Sequence, residues 1–302
     1  MQLRLAYLYP GVMSQYGDRG NVLTICERAR RRGIQTQVVG LELGEPVDSD
    51  GVDVILVGGG ADTQQRLVAD DLVEVKGPGL HEAVEQGAAL LAVCAGYQLL
   101  GHSYLAADGV KLPGVGLFDA HTVHRAVEVG ARLDSITAAG AVRAVGNLVV
   151  RREGEELVGF ENHGGRTYLH PGSEPLGRVV VGRGNNGTDG SEGCVVGNAV
   201  GTYLHGPVLP KNPQLADWLL AAGLRHRYGA AALEPLDDER ERAAHDAALQ
   251  LALAARGLGA LRRRVHDALV SWLGERPTAR AMKAPTTSPR SPRSRSIIQS
   301  DQ

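Results

Sequence analysis

Ala88-Ala-Leu-Leu-Ala-Val-Cys-Ala-Gly-Tyr-Gln-Leu-Leu-Gly101 sets one cysteine between an apolar run and a helix-like run. Ala88 to Val93 is short and apolar without alternation, so it reads as a strand buried on both faces, and Gln98 to Leu100 opens an apolar helical face. Cys94 then falls on the sharp turn between them, the layout of a nucleophile elbow. The N–H groups of the turn and the helix N-terminus predict a thiol that points outward and ionises readily. Ala95 and Gly96 are small enough to let the backbone turn tightly, and the Ala95 N–H is placed to meet a developing oxyanion. A lone Cys in an apolar run also has a plainer reading, a core cysteine. Its small neighbours weigh against that.

Outward from the elbow, strand-like and helix-like segments alternate, which predicts a parallel sheet covered by helices, an α/β fold. Leu3 to Leu8, Gln35 to Leu41 and Val52 to Val57 read as strands, the last ending in Gly58-Gly59-Gly60; Asn21 to Arg32 and His81 to Glu85 read as helices. From Gly114 to about Gly206 the chain turns to short β-rich pieces, with strands expected at Asn147 to Arg151, Glu156 to Phe160 and Val179 to Val181. Asn212 to Leu220 and Asp237 to Leu253 read as helices. Three parts are expected: a core over 1–225, a helical extension over 226–274, and a Pro/Ser/Arg-rich tail over 275–302 whose composition predicts disorder.

Composition narrows the function. With 43% hydrophobic residues in 302, the chain can bury a sizeable core. A formal charge of −2 and 4% aromatic residues offer neither the field nor the stacking surface that nucleic acid requires. Cys26, Cys94 and Cys194 form an odd set without metal-ligand spacing, so no metal is expected and a reducing, cytoplasmic setting is. Neither a secretory signal nor an apolar run of the roughly 18 residues a spanning helix needs is visible.

A thiolate nucleophile needs a base, and histidine suits the task near neutral pH. His205, in Gly201-Thr-Tyr-Leu-His-Gly-Pro-Val-Leu-Pro210, sits where a strand closes in a Gly-Pro turn; His163, in Gly159-Phe-Glu-Asn-His-Gly-Gly-Arg166, follows another strand. Both stand as candidates on position alone.

Together these residues resemble a family. Cys94-Ala-Gly-Tyr-Gln98 resembles the Cys-x-Gly-x-Gln elbow of class I glutamine amidotransferases, which have a flavodoxin-like, mainly parallel sheet, and Gly159-Phe-Glu-Asn-His-Gly164 resembles a signature of their cobyric acid synthase-like branch. Within that branch, Tyr16-Gly-Asp-Arg-Gly-Asn21, Gly58-Gly-Gly-Ala-Asp62, Gly159 to Tyr168, Gly182-Arg-Gly-Asn-Asn186 and Gly201 to Asn212 are similar to the GatD-type glutaminase subunits of lipid II isoglutaminyl synthases, from about residue 1 to about 225.

The resemblance implies that Cys94 attacks the side-chain amide of L-glutamine and that His205 is the base. It implies an oxyanion site from the N–H groups of Ala95 and the Gly58 to Gly60 turn, with Gly60 and Gln98 at the substrate. An arginine ahead of the Gly-Phe-Glu-Asn-His segment clamps the substrate α-carboxylate; Arg143 has the matching context, and Arg125 is the second candidate. Pro207 occupies the position where many class I enzymes carry an orienting glutamate, leaving Asp18 and Glu161 as acidic candidates. The implied partner is a MurT-type Mur ligase subunit, which carries the ATP and Mg and amidates the D-glutamate α-carboxylate of lipid II; no cofactor is expected in this chain, which lacks a phosphate-binding loop. Contact with lipid II through the partner would bring the chain to the inner face of the membrane. Other classes remain open: a cobyrinate-type amidotransferase, a stand-alone thiol amidohydrolase, or a non-catalytic stabilising subunit.

Overall fold

The computed structural model describes residues 1–14, 17–130 and 143–274, with side chains described through residue 257. Tyr16, part of the Asp119 to Ala141 connection and the 275–302 tail fall outside the described residues. The chain divides into one unit of Met1–Arg256 and another of Gly257–Gln302.

The first hundred residues alternate as their patterning predicts, with α2 as an addition the patterning does not show: β1 (Gln2–Leu8), α1 (Arg19–Arg31), β2 (Gln35–Leu41), β3 (Val54–Val57), α2 (Asp62–Asp71), α3 (Gly77–Glu85), β4 (Ala89–Val93) and α4 (Ala95–Leu100). Short strands follow: β5 (Ser103–Leu105), β6 (Lys111–Pro113) and β7 (Ala120–His124), then a single helical turn, α5 (Arg125–Glu128). Beyond it run β8 (Ala144–Arg152), β9 (Glu155–His163), β10 (Gly165–Leu169), β11 (Gly177–Val181), β12 (Ser191–Glu192), β13 (Cys194–Val196) and β14 (Ala199–Thr202). The helices α6 (Pro213–Tyr228) and α7 (Glu239–Gly274) close the described chain, α7 running well past the Asp237 to Leu253 expectation.

The main sheet has the order β13-β14-β4-β3-β1-β2. Its pairs are parallel except β13 with β14, which is antiparallel. Every residue of β3 and β4 is buried, because helices cover both faces of an α/β sheet; this is why both segments are unbroken apolar runs. Each fully buried Val, Leu or Ile there contributes roughly 1.5–3 kcal/mol relative to exposure. Helix α6 packs on α1 and across β1, β3 and β4, while α4 packs against β4, β14 and α2. Among the described residues no helix is long and apolar enough to cross a membrane.

Two four-stranded sheets complete the unit, ordered β10-β7-β5-β6 and β12-β11-β8-β9. In the second, β8 and β9 form a hairpin whose ladder runs from Arg152↔Glu155 to Ala144↔His163. This pairing extends both strands beyond the stretches expected from sequence. The two-residue loop has φ of 51° at Glu153 and 91° at Gly154, the left-handed geometry that matches the twist of the flanking strands. Asn212, ahead of α6, fastens this hairpin to the main sheet: its Oδ1 accepts from the Val158 N–H at 2.8 Å, and its Nδ2 donates to the carbonyls of Val158 at 2.8 Å and Val208 at 2.6 Å.

Candidate active site

Cys94 stands between β4 and α4 with φ 52° and ψ −103°, a left-handed conformation that a non-glycine residue adopts only under constraint. The constraint is visible in the hydrogen bonds. The Cys94 N–H donates to the Thr202 carbonyl at 2.8 Å, the Gly96 N–H to the Gly58 carbonyl at 3.2 Å, and the Gln98 N–H to the Cys94 carbonyl at 2.9 Å. The elbow is thereby tied to the end of β14 on one side and to the glycine turn after β3 on the other. A Cβ on Gly96 would lie 2.7 Å from Val57 Cγ1, so only glycine permits this approach.

The glycine turn is anchored in its own way. Asp18, buried ahead of α1, accepts from the Gly59 N–H at 2.8 Å, and a side chain on Gly58 would collide with the Met13 carbonyl. Of the expected oxyanion donors, Gly59 is therefore already engaged, whereas the Ala95 N–H donates to the Cys94 sulfur.

The register Val93↔Thr202 sets the ends of β4 and β14 side by side, and the chain after β14 carries His205 to the same end of the sheet as Cys94. His205 is fully buried, exchanges backbone hydrogen bonds with Phe160 of β9 at 2.8 and 3.4 Å, and stacks its ring on that of Phe160 with centroids 5.5 Å apart. His163 is held otherwise: its ring lies 3.6 Å from that of Tyr203, its Nδ1 faces the Gly165 carbonyl at 2.8 Å, and its Nε2 lies 3.8 Å from Glu161.

Charge ties the parts together. Burial pushes the Cys94 thiol up to about 12, against which the Arg143 guanidinium and the Ala95 N–H pull downward while Asp18 and Asp62 push it further up. This overturns the expectation of an outward, readily ionised thiol. Cys94 is only 5% exposed, and losing water outweighs what the turn and helix end supply. Burial, with the charges of His163 and Arg143, holds the His205 imidazole down at about 3. At rest the pair is a neutral thiol and a neutral imidazole.

Arg143 acts on both groups while donating to Asn162 through Nε and Nη2, at 2.8 to 3.1 Å. Arg125 instead bonds Glu128 at 2.9 Å, and its charge acts on Arg166 and Tyr168. Gln98 spends its amide within the protein: Oε1 accepts from Gln65 Nε2 at 2.6 Å, and Nε2 donates to the Tyr203 hydroxyl at 3.0 Å. That hydroxyl pairs with the Thr167 hydroxyl at 2.7 Å, which in turn pairs with the Thr122 hydroxyl at 2.8 Å. Glu161 accepts from the N–H groups of Arg183 and Gly184 and helps hold the turn after β11.

Two acidic residues escape a reading of sequence. Asp62, at the first turn of α2, joins Asp18 as a negative charge acting on Cys94. Glu192 is fully buried, and its Oε1 accepts from the Thr202 hydroxyl and from the Tyr203 N–H, both at 2.7 Å. It thus fixes the strand end that leads to His205. Burial raises its carboxyl to about 7 despite these donors, with nearby Glu161 adding to the rise. Ser-Glu-Gly carries no pattern that marks a buried carboxylate; only the fold reveals it.

The sequence profile of the CobB/CobQ-like glutamine amidotransferase domain matches residues 4–213. The GatD subunit of lipid II isoglutaminyl synthase (glutamine-hydrolysing) from Staphylococcus aureus is 36% identical over 80% of this chain and 92% of its own length. Its counterpart from Streptococcus pneumoniae is 35% identical over 76% of this chain and 83% of its own. A cobyric acid synthase from Pelotomaculum thermopropionicum is 32% identical over 68% of this chain but only 37% of its own length. With the elbow at Cys94, the sheet order around it and these matches, the chain belongs to the CobB/CobQ-like family of glutamine amidotransferases.

Proposed function

We propose that this chain is the glutaminase subunit of a lipid II isoglutaminyl synthase, working with a MurT-type ligase subunit. The observation that carries this reading is length: the GatD relatives are matched over 92% and 83% of their chains, the cobyric acid synthase over 37%. The activity itself is that of the family, glutamine-dependent amide transfer.

In the proposed reaction the α-carboxylate of glutamine meets Arg143, and its ammonium group faces the negative charges of Asp62 and Asp18. Cys94 Sγ attacks the side-chain amide carbon as His205 takes the thiol proton. The oxyanion is met by backbone N–H groups, those of Ala95 and Gly60. Collapse of the tetrahedral intermediate breaks the C–N bond, His205 returns the proton to nitrogen, and ammonia leaves behind a γ-glutamyl thioester. Water, deprotonated by His205, attacks the thioester and releases glutamate and the thiol. Because burial keeps both groups neutral at rest, proton transfer accompanies attack on the substrate rather than preceding it. Ammonia is then consumed by the partner, where ATP and Mg supply the activation of the D-glutamate α-carboxylate.

The test is ammonia release from glutamine by wild type and Cys94→Ala, each with and without the co-expressed ligase subunit. Release that requires Cys94 and rises with the partner is the expected result, with Cys94→Ala complexes still amidating when ammonium is added. Partner-independent release of equal rate would favour a free-standing glutaminase. Amidation from glutamine that survives Cys94→Ala would sink the proposed chemistry.

A further inference from the structure

Away from Cys94, three side chains far apart in sequence converge on the sheet formed by β5, β6, β7 and β10. His102 precedes β5, Asp119 precedes β7, and His170 follows β10. His102 Nε2 lies 2.8 Å and His170 Nδ1 2.7 Å from the same oxygen, Asp119 Oδ1. The three ligand atoms lie within 4.8 Å of one another, and the two imidazole rings stack with centroids 5.3 Å apart.

The backbone fixes this meeting. The His102 N–H donates to the Ala120 carbonyl at 2.8 Å, while the Asp119 carbonyl accepts from the His170 N–H and the Ser173 hydroxyl, both at 2.9 Å. Gly116 leaves room for the His102 ring, since a Cβ there would lie 3.1 Å from Nδ1.

We propose that His102, Asp119 and His170 form a binding site for a borderline divalent transition-metal ion of the Zn²⁺ class. Two imidazole nitrogens with one carboxylate oxygen is a donor set that such ions favour over Mg²⁺ or Ca²⁺. Tetrahedral bonds of about 2.0–2.2 Å need donor atoms about 3.3 Å apart, so the two N···O pairs, now 2.8 and 2.7 Å, open by about half an ångström. They are free to do so: His102, Asp119 and His170 are 49%, 57% and 38% exposed. Metal binding requires each imidazole to present a lone pair in place of the proton now aimed at Asp119. For His170 that proton moves to Nε2, and His121 Nδ1, 3.0 Å away, is there to accept it. A ligating histidine commonly hands its other N–H to such a partner. Three protein ligands leave at least one position for water or for a group on another molecule.

The test titrates the untagged full-length chain with Co²⁺, read by its visible absorption, and with Zn²⁺ in competition. One ion per chain is expected, without a sulfur charge-transfer band. His102→Ala and His170→Ala should weaken binding by more than about 100-fold, and His121→Phe by the roughly 10–100-fold typical of an outer partner. All three variants should keep glutaminase activity, which shows that they fold. Absence of stoichiometric binding would overturn the proposal, as would equal affinity in wild type and His102→Ala, or a thiolate band locating the ion at a cysteine.

Discussion

Glu192 shows how one residue can set both stability and site geometry. Its carboxyl has a folded value of about 7 against an ordinary 4.5, so its favourable contribution is full below about 4.5 and is lost as pH rises through about 7. Above that, the fold holds a buried charge whose Oε2 has no hydrogen-bond partner. Glu192→Gln keeps an acceptor for Thr202 and Tyr203 but cannot ionise. The variant is expected to match wild type near pH 5 and to be more stable by about 1–3 kcal/mol at pH 8, as measured by urea unfolding at both pH values. An unchanged difference between the two would refute the assignment of the charge. Cys94 makes the complementary point. Its place on the elbow was legible from an apolar run followed by small residues, but its protonation was not, because desolvation depends on what the rest of the chain packs around the sulfur.

At the scale of elements, the hairpin of β8 and β9 matters because its long strand docks on the segment that carries His205. The docking rests on the Phe160 and His205 backbone exchange and on Asn212, whose side chain imitates a strand partner for Val158. Asn212→Ala removes three buried hydrogen bonds and leaves their backbone partners unmet, which should cost about 2–4 kcal/mol. It should also lower the glutaminase kcat while leaving KM nearly unchanged, since His205 loses its support and Arg143 does not; steady-state kinetics beside thermal melts would separate the two effects. Strands with continuous apolar content, such as Val54 to Val57 and Ala89 to Val93, could be read from sequence. Helix α2, Asp-Thr-Gln-Gln-Arg-Leu-Val-Ala-Asp-Asp, offers only a narrow apolar face and gave no such signal. Strands β5 and β6, three residues each, are too short for period-two patterning to emerge and are defined by cross-strand pairing. The His102, Asp119 and His170 cluster was invisible for the same reason: its members share no local spacing.

Across the whole Met1–Arg256 unit, arginines of and just after α1 tie the first stretch to the last, with the buried Arg28 guanidinium at their centre. Arg28 of α1, 3% exposed, donates through Nε and Nη2 to Asp217 of α6 and through Nη1 and Nη2 to Asp238 ahead of α7, at 2.6 to 2.9 Å. Arg32 also holds Asp217, whereas Asp238 keeps only the more distant Arg31, 3.9 Å away, so Arg28→Ala weakens the hold on Asp238 above all. The expected loss is about 3 kcal/mol, measured by chemical denaturation, and Asp238→Asn in the same background should restore part of it; no recovery would show that the loss comes from packing. The same unit encloses the Cys94 sulfur. Oxidants and electrophiles react with thiolate, yet burial raises Cys94 and Cys194 alike to about 12. The resting Cys94 and Cys194 thiols are therefore slow to react with peroxide, which leaves the partly exposed Cys26 as the first cysteine an oxidant meets.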